Sequence, residues 1–225
     1  MNVEQYRFNM IEQQIRPWDV LDGEILQLLS VIRREDFVPT AHKALAFADL
    51  EIPLLATDAD AQAQGCCMLA PRVEARMLQD LTLNRNDKVL EIGTGSGFMA
   101  ALLASRAQRV ISLEIRPELA KFARDNLSRA GMSNAEVRQA DGSTGLPQEG
   151  PFDAIVLSGS VAEIPHALLD QLKVGGRLMS IVGDLPVMRA TKLTRQSENQ
   201  FVTTQGWDTV APRLKNFPEP SRFNF

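Results

Sequence analysis

The strongest constraint on the fold is a glycine-rich turn between a short apolar strand and an apolar helix. The strand is predicted at Lys88–Ile92, the turn reads Gly-Thr-Gly-Ser-Gly at 93–97, and the helix is predicted at 96–105. Glycines between a strand and a helix let the backbone turn sharply and bring main-chain N–H groups close to a ligand. This arrangement is typical of α/β domains that bind nucleotides.

Strands and helices continue to alternate after the turn. Further strands are predicted at 109–113, 135–139, 153–157 and 177–182, with helices at 117–130 and near 162–172. Because these strands are nearly continuous apolar runs, we expect a doubly wound parallel sheet covered by helices on both faces. Two extended segments, 187–195 and 201–210, flank a turn at 197–200 and predict an antiparallel pair at the end of a seven-stranded sheet.

The part of the chain before the glycine turn is predicted to be mainly helical. Apolar residues recur at helical spacing after Asp22, a candidate N-cap, and Pro71 fits the first position of another helix. The small polar stretch 57–67 predicts a surface loop. With 225 residues, we expect a single domain, 1–225. Its predicted parts are a helical segment (1–70) that covers one side of the ligand site, a ligand-binding core (71–183) and C-terminal antiparallel strands with a tail (184–225).

Composition argues against several classes of protein. The net charge of −4 argues against non-specific binding to nucleic acid or to an anionic membrane. Cys66 and Cys67 are adjacent, a spacing too strained for an ordinary disulfide, and no cluster of ligand residues has metal spacing. The sequence has neither a signal-peptide pattern nor an apolar run of about 18 residues. We therefore expect a cytoplasmic protein without a metal site.

Acidic residues near the turn indicate which ligand would bind. Glu114 ends the second strand of the core, where a carboxylate can accept both hydroxyls of a ribose. Glu91 precedes the glycines, where its negative charge would repel a pyrophosphate but suit a sulfonium or amino group. Asp141 follows the third strand and suits the exocyclic amine of an adenine. These features favour S-adenosylmethionine. The predicted cofactor-binding residues are Glu91, Gly93, Thr94, Gly95, Gly97, Glu114, Asp141 and Gly142.

At this turn the sequence resembles the class I methyltransferases, through Glu91-Ile92-Gly93-Thr94-Gly95-Ser96-Gly97. It also resembles the protein-L-isoaspartate O-methyltransferases, in segments that follow that family's order over nearly the whole chain. Those segments are Arg-Glu-Asp-Phe-Val-Pro (34–39), Glu-Ile-Pro-Leu (51–54), Pro71 with Ala-Arg-Met (75–77), 89–97, Pro-Phe-Asp-Ala-Ile (151–155) and Glu-Ile-Pro (163–165). The resemblance implies methyl transfer to the α-carboxylate of isoaspartyl residues in damaged proteins. The ester would close to a succinimide, which reopens partly as aspartate.

The acceptor side departs from the family pattern at Leu69. The resemblance implies a serine two residues before Pro71, where it helps to hold the acceptor carboxylate. Leu69 occupies this position and cannot donate a hydrogen bond, and no Ser or Thr lies between Gly65 and Pro71. The predicted acceptor-side residues are Leu69, Pro71 and Ser158. The catalytic residue is left unassigned, because Leu69 lies where the family has its serine. The reaction itself needs no general base, since a carboxylate is already ionised at pH 7.

Three other functions stay open at the level of sequence. A methyltransferase of the same fold could act on a small carboxylic acid, and a protein that binds the cofactor without catalysis could serve as a sensor or scaffold. An NAD-linked oxidoreductase is the third, since residues 95–100 fit the loose dinucleotide fingerprint. Against it, Tyr6 is the only tyrosine, so no Tyr-x-x-x-Lys pair exists.

Overall fold

The computed structural model describes residues 2–219, which fold around one large β-sheet. The strands are β1 (Ile52–Pro53), β2 (Cys67–Met68), β3 (Lys88–Ile92), β4 (Arg109–Glu114), β5 (Ala135–Gln139), β6 (Phe152–Val161), β7 (Leu172–Asp184), β8 (Val187–Ser197) and β9 (Gln200–Thr209). The α-helices are α1 (Val3–Met10), α2 (Gly23–Val31), α3 (Asp58–Gln64), α4 (Pro71–Leu81), α5 (Phe98–Ala104), α6 (Pro117–Arg129) and α7 (His166–Leu169). A π-helical turn, Ile11–Ile15, extends α1.

The large sheet has the strand order β5-β4-β3-β6-β7-β8-β9, and β1 and β2 form a separate antiparallel pair. Strands β3 to β7 pair in parallel, whereas β8 and β9 are antiparallel. The chain leaves β3 towards β4 and later returns on the other side of β3 as β6. A crevice therefore forms at the carboxyl ends of β3 and β6, which is where α/β sheets of this kind bind ligands.

Both faces of the sheet are buried at its central parallel strands. Val89 belongs to an apolar cluster that includes residues of α2, α4, α5 and α6, whereas Leu90 belongs to a second cluster that includes α7. Neighbouring residues of a strand point to opposite faces, so the continuous apolar run of β3 has packing partners on each side. The predicted doubly wound, mainly parallel seven-stranded sheet with an antiparallel C-terminal pair is confirmed.

The capping residue Asp22 and the proline Pro71 correctly predicted the starts of two helices. Asp22 is the N-cap of α2, and its side chain accepts hydrogen bonds from the backbone N–H groups of Glu24 and Ile25. Such a cap stabilises a helix by about 1 kcal/mol. Pro71 occupies the first turn of α4, where its missing N–H costs nothing.

Two predictions about local structure were wrong. Residues 57–67 are not a loop throughout, because they contain α3, which is capped by the Thr57 side chain and ended by Gly65 in the left-handed conformation. Only Ala61 of this helix is buried, so no apolar periodicity marked it. The helix near 162–172 is a single turn, α7, because Pro165 precedes it and β7 begins at Leu172.

Residues 211–217 form a segment that we call the C-terminal strap, which returns along β6 towards the crevice. The N–H of Ser160 donates to the carbonyl of Pro212 (2.7 Å), and the N–H of Leu214 donates to the carbonyl of Ser160 (2.9 Å). The end of the tail that was predicted at 184–225 lies outside the described residues. Within residues 2–219, no helix has both the length and the apolar character needed to cross a membrane.

Candidate active site

A cavity opens at the carboxyl ends of β3, β4 and β6. It contains about 620 Å³ of space that no atom fills, part of it open to solvent. Five of the residues predicted from the sequence line it together: Gly93, Glu114, Asp141, Gly142 and Ser158. Residues from four separate segments therefore converge at the switch point of the sheet, where a ligand was expected.

The glycine turn has a backbone that side chains would strain. Gly93 has φ +93°, and a Cβ atom there would lie 2.8 Å from Cδ2 of Leu214 in the C-terminal strap. Gly97 has φ +84°, and its Cβ would lie 3.2 Å from that of Ala123 in α6. Gly93 thus lets the strap approach the cavity, whereas Gly97 lets α6 pack closely against the start of α5.

The N–H groups of the turn are mostly used inside the protein. Those of Gly93 and Thr94 donate to the carbonyl of Leu113 (2.9 and 3.3 Å), and that of Gly95 donates to Oε2 of Glu114 (2.9 Å). A dinucleotide pyrophosphate would need such donors, and these are already paired within the protein. The arrangement therefore disfavours the NAD alternative.

Glu114 presents a carboxyl group to the cavity while the backbone holds it in place. Its Oε1 accepts from the N–H of Arg116 (3.0 Å), and its Oε2 accepts from Gly95. Burial raises the pKa of Glu114, and these two backbone hydrogen bonds act in the opposite direction. A carboxylate oxygen can accept two hydrogen bonds, so each oxygen keeps a free position for a ligand hydroxyl.

Glu91 lies behind the cavity and does not line it. Its Oε1 accepts from the hydroxyl of Ser158 (2.7 Å), and its Oε2 accepts from the hydroxyl of Ser112 (2.6 Å), which in turn lies 2.5 Å from Oγ1 of Thr94. Complete burial raises the pKa of Glu91 to about 8, although both serine hydrogen bonds lower it. Glu91 is therefore protonated much more easily than an ordinary carboxyl, and it orients Ser158 from behind the cavity wall.

Asp141 also lines the cavity. Its Oδ1 accepts from the N–H of Ser143 (2.9 Å), and its Oδ2 accepts from the side-chain amide of Asn216 in the strap (2.7 Å). Burial acts to raise the pKa of Asp141, but the hydrogen bonds from Ser143 and Asn216 outweigh it, and the pKa is lowered. Asp141 is therefore ionised at neutral pH and can accept a further hydrogen bond.

The predicted acceptor-side residues do not all reach the cavity. Leu69, only 5% exposed, lines a neighbouring groove with residues of the β7–β8 turn, and Pro71 is buried at the start of α4. The carbonyl of Leu69 accepts from the guanidinium of Arg34 (2.7 Å), which is itself buried and paired with Glu74. The segment before α4 is thus fixed from the inside by an ion pair.

Sequence reasoning missed the strap. Arg213, Leu214, Lys215 and Phe217 line the cavity, but they follow the last predicted strand in a stretch without periodicity or motif. They reach the cavity because the strap runs back along β6 after the last strand, and this is visible only in the fold.

Cys66 and Cys67 also line the cavity, and both are free thiols. Burial, together with nearby Glu51, raises the pKa of Cys67 to about 11, and burial also raises that of Cys66. Both therefore stay protonated, which suits a small apolar lining more than a nucleophile. Within residues 2–219, no group of three or more His, Cys, Asp or Glu side chains could hold a metal ion.

Comparisons with known proteins converge on one family. A family model described as protein-L-isoaspartate(D-aspartate) O-methyltransferase matches residues 5–211. The chain is 40% identical over 211 residues to the protein-L-isoaspartate O-methyltransferase of Methanoculleus marisnigri, covering 94% of this chain and 92% of the relative. It is 41% identical over 184 residues to protein-L-isoaspartate O-methyltransferase 1 of Syntrophobacter fumaroxidans, covering 82% of each.

Solved structures show the same fold. One is described as a protein-L-isoaspartate O-methyltransferase from Plasmodium falciparum in complex with S-adenosyl-L-homocysteine. It matches with a TM-score of 0.76 at 18% identity, over 96% of this chain and 99% of that one. A second structure with the same enzyme name has a TM-score of 0.75 at 21% identity and covers 92% of this chain and 65% of that one.

Proposed function

The chain belongs to the protein-L-isoaspartate(D-aspartate) O-methyltransferase family, and we propose that it methylates the α-carboxylate of isoaspartyl residues in damaged proteins. Its cofactor is S-adenosyl-L-methionine, which supplies an activated methyl group on a sulfonium sulfur when it is bound. The observation that carries the proposal is the family match over residues 5–211, which includes residues 5–92 before the glycine turn. That segment forms the acceptor side and distinguishes this family from other methyltransferases of the same fold.

The residues of the cavity suit this cofactor. Glu114 has two free acceptor positions for the ribose hydroxyls, and Asp141, beside Gly142, has one for the adenine amine. Gly93 keeps the turn open beneath the strap, while Thr94, Gly95 and Gly97 shape it. Glu91 acts indirectly, because it accepts a hydrogen bond from Ser158 and so orients that hydroxyl in the cavity wall.

Methyl transfer to a carboxylate needs no general base among the side chains. An acceptor carboxylate is ionised at neutral pH, since its ordinary pKa is about 4, so the protein need not remove a proton. Holding two reactants in line can supply up to about 7–11 kcal/mol of the reduction in the barrier. We infer that the strap, the 64–67 segment and Ser158 provide this alignment and exclude water, whereas Leu69 and Pro71 shape the approach to the site.

We also propose the setting in which the protein works. The net charge of −4 favours protein substrates over nucleic acid or membranes as partners. A cytoplasmic location without a metal suits the free Cys66 and Cys67. The proposed organisation is a single methyltransferase domain, 1–225, in which 1–70 covers the acceptor side, 71–183 binds the cofactor and 184–225 completes the sheet and the strap.

The direct test uses labelled S-adenosyl-L-methionine and a matched pair of peptides that differ only in one isoaspartyl or aspartyl linkage. We expect label to enter the isoaspartyl peptide as a base-labile methyl ester and the aspartyl peptide hardly at all. Equal labelling of both peptides, or labelling of small carboxylic acids alone, would refute the proposal. Calorimetric titration adds a control, because S-adenosylhomocysteine should bind and NAD should not.

A further inference from the structure

The cavity must hold an anion as well as the cofactor, because the proposed acceptor is a carboxylate. This inference rests on the proposed function and asks which group binds that anion. The hydroxyl of Ser158 already donates to Glu91, and the side chain of Leu69 lines the neighbouring groove. Three cationic side chains line the cavity: Arg116, Arg213 and Lys215.

Two of these cations already have acidic or polar partners. Arg116 donates to Glu118 (3.2 Å) and to the side-chain oxygen of Gln64. Arg213 is paired with Asp184 and with Glu219 (3.1 Å). Lys215 differs, because within residues 2–219 its ammonium group makes neither a hydrogen bond nor an ion pair, although it lines the cavity.

Lys215 is also held in place by its neighbours in the strap. The backbone N–H of Leu214 is bonded to Ser160, and its side chain packs over Gly93 and Gly159. Asn216 donates to Asp141 (2.7 Å), and Phe217 is only 7% exposed. The Cα of Lys215 is therefore fixed between anchored residues, while its flexible side chain stays free to meet a ligand.

The position of Lys215 matches the route of a polypeptide substrate. Lys215 lines the cofactor cavity and also an adjoining groove that contains Glu51, Cys67 and Val210. That groove continues, through Glu51 and Val210, into the one lined by Leu69. A chain lying along these grooves would pass its acceptor residue beside the ammonium group.

We propose that Lys215 binds the α-carboxylate of the isoaspartyl acceptor. A charge-assisted hydrogen bond from an ammonium group is stronger than one from a neutral hydroxyl, so this contact supplies a donor that the side chain of Leu69 lacks. The contact forms when the substrate binds, before any methyl transfer, and its loss should therefore appear mainly in KM.

The test is steady-state methylation of an isoaspartyl peptide by Lys215→Gln. We expect KM for the peptide to rise about tenfold, which corresponds to about 1.4 kcal/mol, with kcat changed less than threefold. Lys215→Arg keeps the charge and should restore KM to within about threefold of the wild type. The dissociation constant for S-adenosylhomocysteine, measured on each variant, should stay within twofold and reports correct folding.

Lys43→Gln is the matched control. Lys43 is exposed, its side chain likewise makes no hydrogen bond or ion pair within residues 2–219, and it lies outside the cavity and both grooves. It therefore removes the same charge without touching the site. An unchanged KM in Lys215→Gln, or an equal rise in both variants, would overturn the assignment of Lys215. A wild type that binds S-adenosylhomocysteine but methylates no isoaspartyl peptide would overturn the proposed function itself.

Discussion

Glu91 and Glu114 lie on neighbouring strands, yet their surroundings give them different tasks. Glu114 lines the cavity with its two oxygens held by backbone N–H groups, whereas Glu91 is completely buried and receives only serine hydroxyls. The sequence predicted both residues as ligand contacts, because Glu91 directly precedes the glycines and Glu114 ends the next strand after them. Position relative to the cavity, which sequence spacing does not reveal, separates Glu114, which lines the cavity, from Glu91, which lies behind it and orients Ser158.

Glu114→Ala should weaken binding of S-adenosylhomocysteine by about 2–4 kcal/mol, because it removes the carboxylate that both ribose hydroxyls would share. One charge-assisted hydrogen bond contributes roughly 1.5–3 kcal/mol, and two bonds to the same charge are not additive. Calorimetric titration measures the change. Glu198→Ala is the control, since Glu198 is an exposed carboxylate in the turn between β8 and β9 and lies outside the cavity. A dissociation constant that is unchanged in Glu114→Ala would mean that the ribose lies elsewhere.

The pKa of Glu91 gives a prediction about the pH dependence of stability. The pKa is about 8 in the folded protein and near the ordinary 4.5 in the unfolded chain. Between these values the unfolded chain has lost the proton and the folded protein has kept it. Ionisation therefore favours unfolding, and stability falls by about 1.4 kcal/mol per pH unit until about pH 8.

Glu91→Gln has no proton to lose and should escape this penalty. Urea unfolding at pH 5, 6.5 and 8 should show the variant gaining stability over the wild type as the pH rises, with the largest gain at pH 8. Glu163→Gln, at an exposed position, should show no such trend. A difference between Glu91→Gln and the wild type that is constant across this range would contradict the burial-induced shift.

At the scale of elements, all seven strands of the large sheet were predicted, because most of them contain an apolar run with a turn signal nearby, whereas the two-residue strands β1 and β2 were missed because they are too short to show a pattern. The bounds of β3 and β5 match the prediction residue for residue, and the turn between β8 and β9 lies where it was expected. Helix α3 was missed because its stability comes from the Thr57 cap and its alanines, not from an apolar face. The strap was missed because its contacts with Ser160 and Asp141 span long distances in sequence.

Gly93→Ala tests whether the strap closes the cavity. Alanine would clash with Leu214 of the strap and would also suffer backbone strain, since φ is +93°. Gly175→Ala is matched, because Gly175 has φ +82° and open space around the added Cβ. Both variants should lose about 1–2 kcal/mol of stability.

Only Gly93→Ala should also weaken the binding of S-adenosylhomocysteine, by about tenfold, because the displaced strap no longer completes the wall of the cavity. Thermal unfolding of the two variants measures the cost of backbone strain, and titration with S-adenosylhomocysteine measures the effect of the strap on binding. Equal binding by Gly93→Ala and Gly175→Ala would show that the strap contact has no part in the site.

At the scale of the whole molecule, the family resemblance and the position of the cavity could be predicted because they depend on continuous motifs. The cofactor side is one such case, since Gly93 follows β3 and Glu114 ends the neighbouring parallel strand β4, so that both must lie at one edge of the sheet. The acceptor side could not be predicted in the same way. Leu69 lies in a groove and Lys215 in the cavity wall, and only the complete fold decides which of them faces the substrate.

Repair of a damaged peptide tests the central claim most directly. An isoaspartyl peptide is incubated with the protein and S-adenosyl-L-methionine. The products are separated by chromatography and their masses are measured by mass spectrometry. The account predicts a methyl ester first, then succinimide, and then a growing fraction of the aspartyl peptide, all absent without the cofactor. An isoaspartyl peptide that remains unmodified, with a protein that demonstrably binds S-adenosylhomocysteine, would contradict it.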